Sequence, residues 1–129
     1  MITTQTAYET VLLALCCWRE ARGETLEAQR GVIWSVLNRA ARPGWWGKDV
    51  VSVILMPKQY SSFNADDPNA VKLPTSTDSV WQEIMLLAVS PGADPTGGAT
   101  NYYSDGIPSP SWAAEMTLTK KIDSLNFYR

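Results

Sequence analysis

Histidine is missing altogether from these 129 residues. That absence excludes Ser-His-Asp and Cys-His catalysis, zinc sites with imidazole ligands, and imidazole proton transfer. Acid–base chemistry then falls mainly to carboxylates, with Lys, Tyr or Cys as lesser candidates. Cysteine is nearly as scarce: Cys16 and Cys17 are the only two, and they are adjacent. Neighbours on a helix point apart and do not bridge each other, so a disulfide scaffold is excluded and buried thiols in a reducing compartment are expected. Charge of one sign is also lacking. Eleven bases and thirteen acids leave a formal charge of −2. No basic stripe suits nucleic acid or an anionic membrane surface. Long apolar runs are absent too. The run at 11–18 is too short to span a bilayer, follows Glu9 rather than a positive leader, and precedes no small-residue cleavage site. It reads as a core helix, so neither a signal peptide nor stable membrane insertion is expected. With no repeat, low-complexity tract or linker, residues 1–129 are expected to form one domain.

What the chain does have is aromatics, with six Trp and five Tyr, and helical periodicity in its first half. One helix is predicted over 6–22, with Gly23 placed to stop it as a left-handed cap. The clearest pattern lies over 26–41, where Val32, Ile33, Val36, Leu37 and Ala40 share a face. Arg30, Ser35, Arg39 and Arg42 fall outside it. Pro43-Gly44 ends that helix. Further helices are predicted over 49–56 and 77–90, with a polar loop between them at 58–75. Asp94-Pro95 with Gly97-Gly98 is a turn. Short strands are predicted at 100–104, 118–122 and 126–129 from β-branched and aromatic content. The fold class is therefore α+β, mostly helical, with a small antiparallel sheet late in the chain.

Chemistry enters at Trp18-Arg19-Glu20-Ala21-Arg22-Gly23-Glu24. Glu20 projects from the last turn of an apolar helix, on the flank of Leu13 and Cys16/Cys17. Partial burial there raises a carboxyl pKa, the poise a glycosidase general acid needs. On spacing alone, pairing with Arg19 or Arg22 at a solvated helix end is the commoner role for such a glutamate.

The run Glu20-Ala21-Arg22-Gly23-Glu24, then Gln29 and Val36-Leu37-Asn38-Arg39, resembles the SleB-type cell-wall hydrolases, a group of spore-cortex-lytic enzymes and related phage lysins. Gln59-Tyr60-Ser61, Asp94-Pro95-Thr96-Gly97-Gly98-Ala99-Thr100, Asn101-Tyr102-Tyr103, Pro110-Ser111-Trp112 and Phe127-Tyr128 follow in the same order. The resemblance spans nearly the whole chain. It implies a compact lysozyme-like domain with Glu20 as the catalytic residue of a cleft. It also implies Gln59, Tyr60, Ser61, Tyr102, Tyr103 and Trp112 as substrate-binding candidates. Each has a plainer role open to it: a loop entering a strand for the first three, a core plug for Trp112. Tyr102 and Tyr103 alternate on a strand, so one of them is expected to touch substrate. Glu24 is assigned to structure, by pairing with Arg22 or capping the next helix, and Asn38 to anchoring a loop from within. Trp45-Trp46 suits either glycan binding or packing under its loop. The pattern departs from the family where Asp123 and Leu125 replace its usual Gly and His, and where Asn101 replaces its His after Ala-Thr. The glutamate is intact.

The implied reaction is cleavage of the peptidoglycan glycan strand between N-acetylmuramic acid and N-acetylglucosamine by a lytic transglycosylase forming 1,6-anhydromuramic ends. The alternatives are a hydrolytic muramidase, which needs a second carboxylate, and a non-catalytic wall-binding module, which needs no semi-buried Glu20. A stem-peptide peptidase or amidase is disfavoured by the absence of histidine. The expected partner is the glycan strand, with no metal or other cofactor, and the expected state is a monomer. A phage lysin would stay in the host cytoplasm until released to the wall or periplasm.

Overall fold

The structure is a computed structural model and describes residues 4–129. Four helices, α1 (Thr4–Ala21), α2 (Leu26–Ala41), α3 (Val50–Leu55) and α4 (Ser79–Val89), precede three strands, β1 (Asn101–Ser104), β2 (Leu118–Ile122) and β3 (Leu125–Tyr128). The sheet is antiparallel in the order β1-β3-β2, so β1 is an edge strand and β3 is central. The α+β reading of the sequence is observed, and α2 and β2 keep the predicted bounds.

Helix α2 is the axis of the molecule. Ala28, Val32, Ile33 and Val36 are fully buried among α1 residues such as Cys16, Cys17 and Leu13, with Ile84 of α4 and Phe127 of β3 in the same core. Phe127 needs a notch in α2: a Cβ on Gly31 would come within 2.5 Å of its ring. Burial also extends to the face predicted to lie outside. Ser35 and Arg39 are buried, because α3, Tyr60 and the Trp45-Trp46 loop cover that side. Ser35 meets the Tyr60 hydroxyl at 3.0 Å. An amphipathic pattern reports one apolar face, and a helix enclosed on two sides exceeds it.

The end of α1 differs from expectation. Gly23 is not among the left-handed glycines, which are Gly47, Gly92, Gly97 and Gly98. The turn is closed instead by the buried Gln29 side chain, whose amide donates to the carbonyls of Ala21 (3.1 Å) and Glu24 (3.2 Å). Helix α2 is capped by Thr25, whose hydroxyl accepts from the Ala28 amide, and not by Glu24. The predicted loop at 58–75 contains two 3-10 turns, Ser61–Phe63 and Pro68–Val71, and no strand follows Gln59-Tyr60-Ser61. Arg19 of α1 pins this loop. Its three side-chain nitrogens donate to the carbonyls of Lys72 (3.0 Å), Ala70 (3.1 Å) and Ser62 (3.4 Å). On the other side of α2, Asn38 donates to Asp94 (3.0 Å) and to the Ala99 carbonyl (2.8 Å). That is the anchoring role read from the sequence.

Candidate active site

A cleft of about 940 Å³ runs from the end of α1 across the β1 edge. Glu20 lines it, with Gln59, Tyr60, Ser61, Tyr102, Tyr103 and Trp112, so all seven residues singled out in the sequence border one cavity.

Glu20 pairs with neither neighbouring arginine. Arg19 is spent on the 58–75 loop, and Arg22 folds back over the Trp18 ring to the carbonyls of Trp18 and Arg19 and the side chain of Asn69. The Glu20 carboxylate instead accepts from the Ser62 amide at 3.3 Å and the Tyr102 hydroxyl at 3.4 Å. Both contacts are long for hydrogen bonds. Burial pushes its pKa up; the Ser62 and Tyr102 contacts oppose that shift without cancelling it, and Asp67 adds to it. The Ser62 hydroxyl is near enough to favour the charged form, yet it is buried without completing a hydrogen bond of normal geometry. The result is a carboxyl inclined to hold its proton, loosely tethered and open to a cleft. Such a group can donate a proton to a bound oxygen and take one back.

The flanking residues divide by role. Tyr60 is buried and its hydroxyl is committed to Ser35, so it forms cleft wall rather than offering a polar group. Ser61 is exposed at the rim. Tyr102 packs on Phe127 (centroids 5.7 Å apart) and turns its hydroxyl to Glu20. Tyr103 belongs to an outer cluster with Trp112 (6.1 Å, edge-on) and Tyr128 (5.7 Å, stacked). Strand alternation leads to the expectation that one of the two touches substrate; both border the cleft, which runs along the edge strand β1. Trp112 sits in a 3-10 turn (Ser111–Glu115) within this aromatic rim and outside the buried core.

Elsewhere along the cleft, Trp45 is 65% exposed and Trp46 half-buried. The pair is held by a tight Gly44–Gly47 bridge and by Trp46 Nε1 donating to the carbonyls of Arg39 and Arg42, each at 3.0 Å. Both indoles line the cleft.

The cleft also takes in residues that the sequence does not mark as part of it, Arg39, Asn101, Glu24 and Glu115 among them. Arg39 was placed on an outer helix face. Asn101 was noted only as a departure from the family pattern. Glu24 was assigned to pair Arg22 or cap α2, and it does neither: both its oxygens accept from the Ser124 hydroxyl (2.8 and 2.7 Å) while the side chain borders the cleft. No group of three or more Cys, Asp or Glu side chains suited to a metal ion forms among the described residues.

The sequence matches the model of the cell wall hydrolase family over residues 23–128. That stretch begins just past Glu20, so the case for Glu20 rests on its geometry. A comparison with the curated proteins finds no significant match. Among solved structures, the catalytic domain of the germination-specific lytic transglycosylase SleB from Bacillus anthracis superposes with a TM-score of 0.75 at 25% identity, covering 94% of this chain and 93% of that one. The catalytic domain of the Bacillus cereus SleB protein gives the same score and identity, covering 95% and 91%.

Proposed function

This chain belongs to the cell wall hydrolase family, and from that membership we propose that it is a lytic transglycosylase cutting peptidoglycan between N-acetylmuramic acid and N-acetylglucosamine. Glu20 is its acid–base residue, and the observation that carries the reading is this carboxyl's half-buried, proton-holding position in an aromatic-rimmed cleft. Protonated Glu20 gives its proton to the glycosidic oxygen as the bond to the muramic C1 breaks. Its carboxylate then takes the proton of the muramic 6-hydroxyl as that oxygen closes on C1. No water enters, and the carboxyl ends as it began. Tyr102 and the Ser62 amide steady the charged form between the two transfers. The cleft-lining rings of Trp45, Trp46, Tyr103 and Trp112 suit sugar faces along the strand. Activity then declines as pH rises through the raised Glu20 pKa, because the acid form is the one that starts the reaction.

One observation favours a second reading. Glu24 also borders the cleft, and a carboxylate there is a candidate to activate water for simple hydrolysis. Mass spectrometry of fragments released from purified peptidoglycan separates the two. The expected fragments end in 1,6-anhydromuramic acid, one water lighter than hydrolysis products. Reducing muramic ends that disappear in Glu24→Gln would move the assignment to a hydrolase, and intact strands would refute both. Glu20→Gln should lower cleavage by at least about 10²-fold, the usual share of a general acid. We place the enzyme in a phage lysis setting, kept in the host cytoplasm until released to the wall. The two buried, unpaired thiols suit folding in a reducing compartment. Genes for other lysis functions beside this one are the expected finding.

A further inference from the structure

Arg39 is 5% exposed, yet it borders the cleft. Its Nε donates to the Thr100 carbonyl at 2.7 Å and its Nη1 to Gln59 Oε1 at 3.2 Å. The rings of Trp46, Tyr60 and Trp45 surround the guanidinium at 5.2, 5.5 and 5.9 Å. All its partners are neutral. The salt bridges among the described residues are Arg30–Glu27 and Lys121–Asp105, so no carboxylate among them, Glu20 included, pairs with this buried charge. Arg19 shows what a bracing arginine looks like here, with each of its three nitrogens on a backbone carbonyl. Arg39 differs, since Nη2 makes no hydrogen bond within the described protein. Gln59 differs likewise: its Oε1 is taken by Arg39, which fixes the amide's orientation and leaves its NH2 unspent. Lys58, exposed on the same cleft, also has no acidic partner.

A buried cation without a counter-charge is costly, and an anion that docks beside it relieves that cost. A guanidinium edge next to an amide NH2 offers the parallel donors that a carboxylate accepts. Resting on the glycan-strand reading, we infer that Arg39 is a specificity-determining residue that binds a carboxylate carried by the substrate, with the Gln59 amide beside it. On peptidoglycan that group is either the lactyl carboxylate of a peptide-free muramic residue or a carboxylate of the stem peptide. The rim aromatics hold sugar faces of any aminosugar polymer, whereas this site distinguishes the muramic strand from a neutral one.

The wild-type protein tests this without a variant. Its kinetics are measured on peptidoglycan strands as isolated and on strands whose carboxylates have been converted to neutral methylamides. A third set is stripped of stem peptides, so that only lactyl carboxylates remain. The expected result is a KM about tenfold or more higher on neutralised strands with kcat nearly kept, the scale of one charge-assisted hydrogen bond. The stem peptide is joined through the lactyl carboxyl, so a KM on stripped strands well below that on intact ones identifies the lactyl group. One as high as on neutralised strands identifies the peptide, and equal low values on stripped and intact strands show that either carboxylate is taken. Arg39→Gln should give one high KM on all strands, with Arg39→Lys between. Equal wild-type KM on intact, stripped and neutralised strands overturns the inference and leaves glycan cleavage standing. So does an Arg39→Gln that lowers kcat equally on all three, the mark of a brace. Failure to cleave any strand removes the glycan reading itself, and this inference with it.

Discussion

Burial sets Glu20 apart from the chain's other carboxylates, and burying an acid costs stability once it ionises. Its folded pKa lies above the ordinary value of 4.5. The native state therefore holds a proton that the unfolded chain has already lost, and stability falls as pH rises from about 4.5 through the folded pKa. Glu20→Gln removes that loss. Urea unfolding should show the variant more stable than wild type at neutral pH, with the gap closing below about pH 4.5, even as cleavage falls by the factor given above. A gap that persists unchanged into acid would mean Glu20 is not strained by burial. The same surroundings act on Cys16 and Cys17, whose thiols burial and the Glu20 charge push up, leaving both inert. At this scale the sequence carried far. A glutamate on the flank of Cys16/Cys17 at a helix end offers a raised pKa as one of two readings, and the structure takes it in preference to pairing with Arg19 or Arg22. Arg39 was illegible, because periodicity around α2 marks a basic residue as outside and is blind to the Trp45-Trp46 loop and Tyr60 folding over it.

Elements were legible where the local signals agreed. Helix α2 ends where Pro43-Gly44 requires, and α3 and α4 start one residue after Asp49 and Asp78, whose side chains cap them. The end of α1 misled, since Gly23 looked like a cap while Gln29, several residues on, performs the closure. Position 123 runs the other way. Asp123 has φ 52° in the two-residue turn between Ile122 and Leu125, which explains a glycine preference there; Asp tolerates the left-handed region and adds a bond from the Thr25 hydroxyl. Gly31 carries no local signal in the sequence, although it decides how α2 meets the sheet. In an ordinary helix interior, Gly→Ala gains about 0.5–1 kcal/mol. Here the added methyl lands 2.5 Å from the Phe127 ring, which is itself fully buried. Gly31→Ala should therefore destabilise by about 1–3 kcal/mol, the usual cost of overpacking. Adding Phe127→Leu should recover part of the loss. Thermal unfolding checks both, and a Gly31→Ala protein as stable as wild type would show that the ring moves aside freely.

Across the whole molecule, the helical layer and the sheet are tied by a polar knot at Asp94 rather than by apolar contact alone. Its carboxylate accepts from the Thr96 amide and hydroxyl (2.8 and 2.6 Å), the Gly98 amide (3.0 Å) and Asn38 of α2 (3.0 Å). Thr119 of β2 donates to the Thr96 carbonyl at 2.6 Å, and Arg42 to that of Gly98 at 3.2 Å, so both layers meet at one turn. Burial pushes the Asp94 carboxyl up, but the bonds from Thr96, Asn38 and Gly98 outweigh it and hold the pKa below its ordinary value of 3.8. A depressed carboxyl stabilises the fold above its unfolded pKa, and that contribution is lost as pH falls from about 3.8 through the folded value. Asp49 and Asp105 also titrate low, so acid destabilisation of the wild type alone would not single out Asp94. The difference between wild type and Asp94→Asn does, since the other carboxylates are common to both. Asn keeps one acceptor and loses the charge, so the variant should unfold at lower urea at pH 7, with the gap shrinking as the pH is taken below about 3.8. A gap independent of pH would assign the loss to shape rather than charge. The knot also fixes where β1 begins, and β1 carries Tyr102 to Glu20. The same variant should then lower cleavage more than its stability loss accounts for, read as kcat at a temperature where it remains folded.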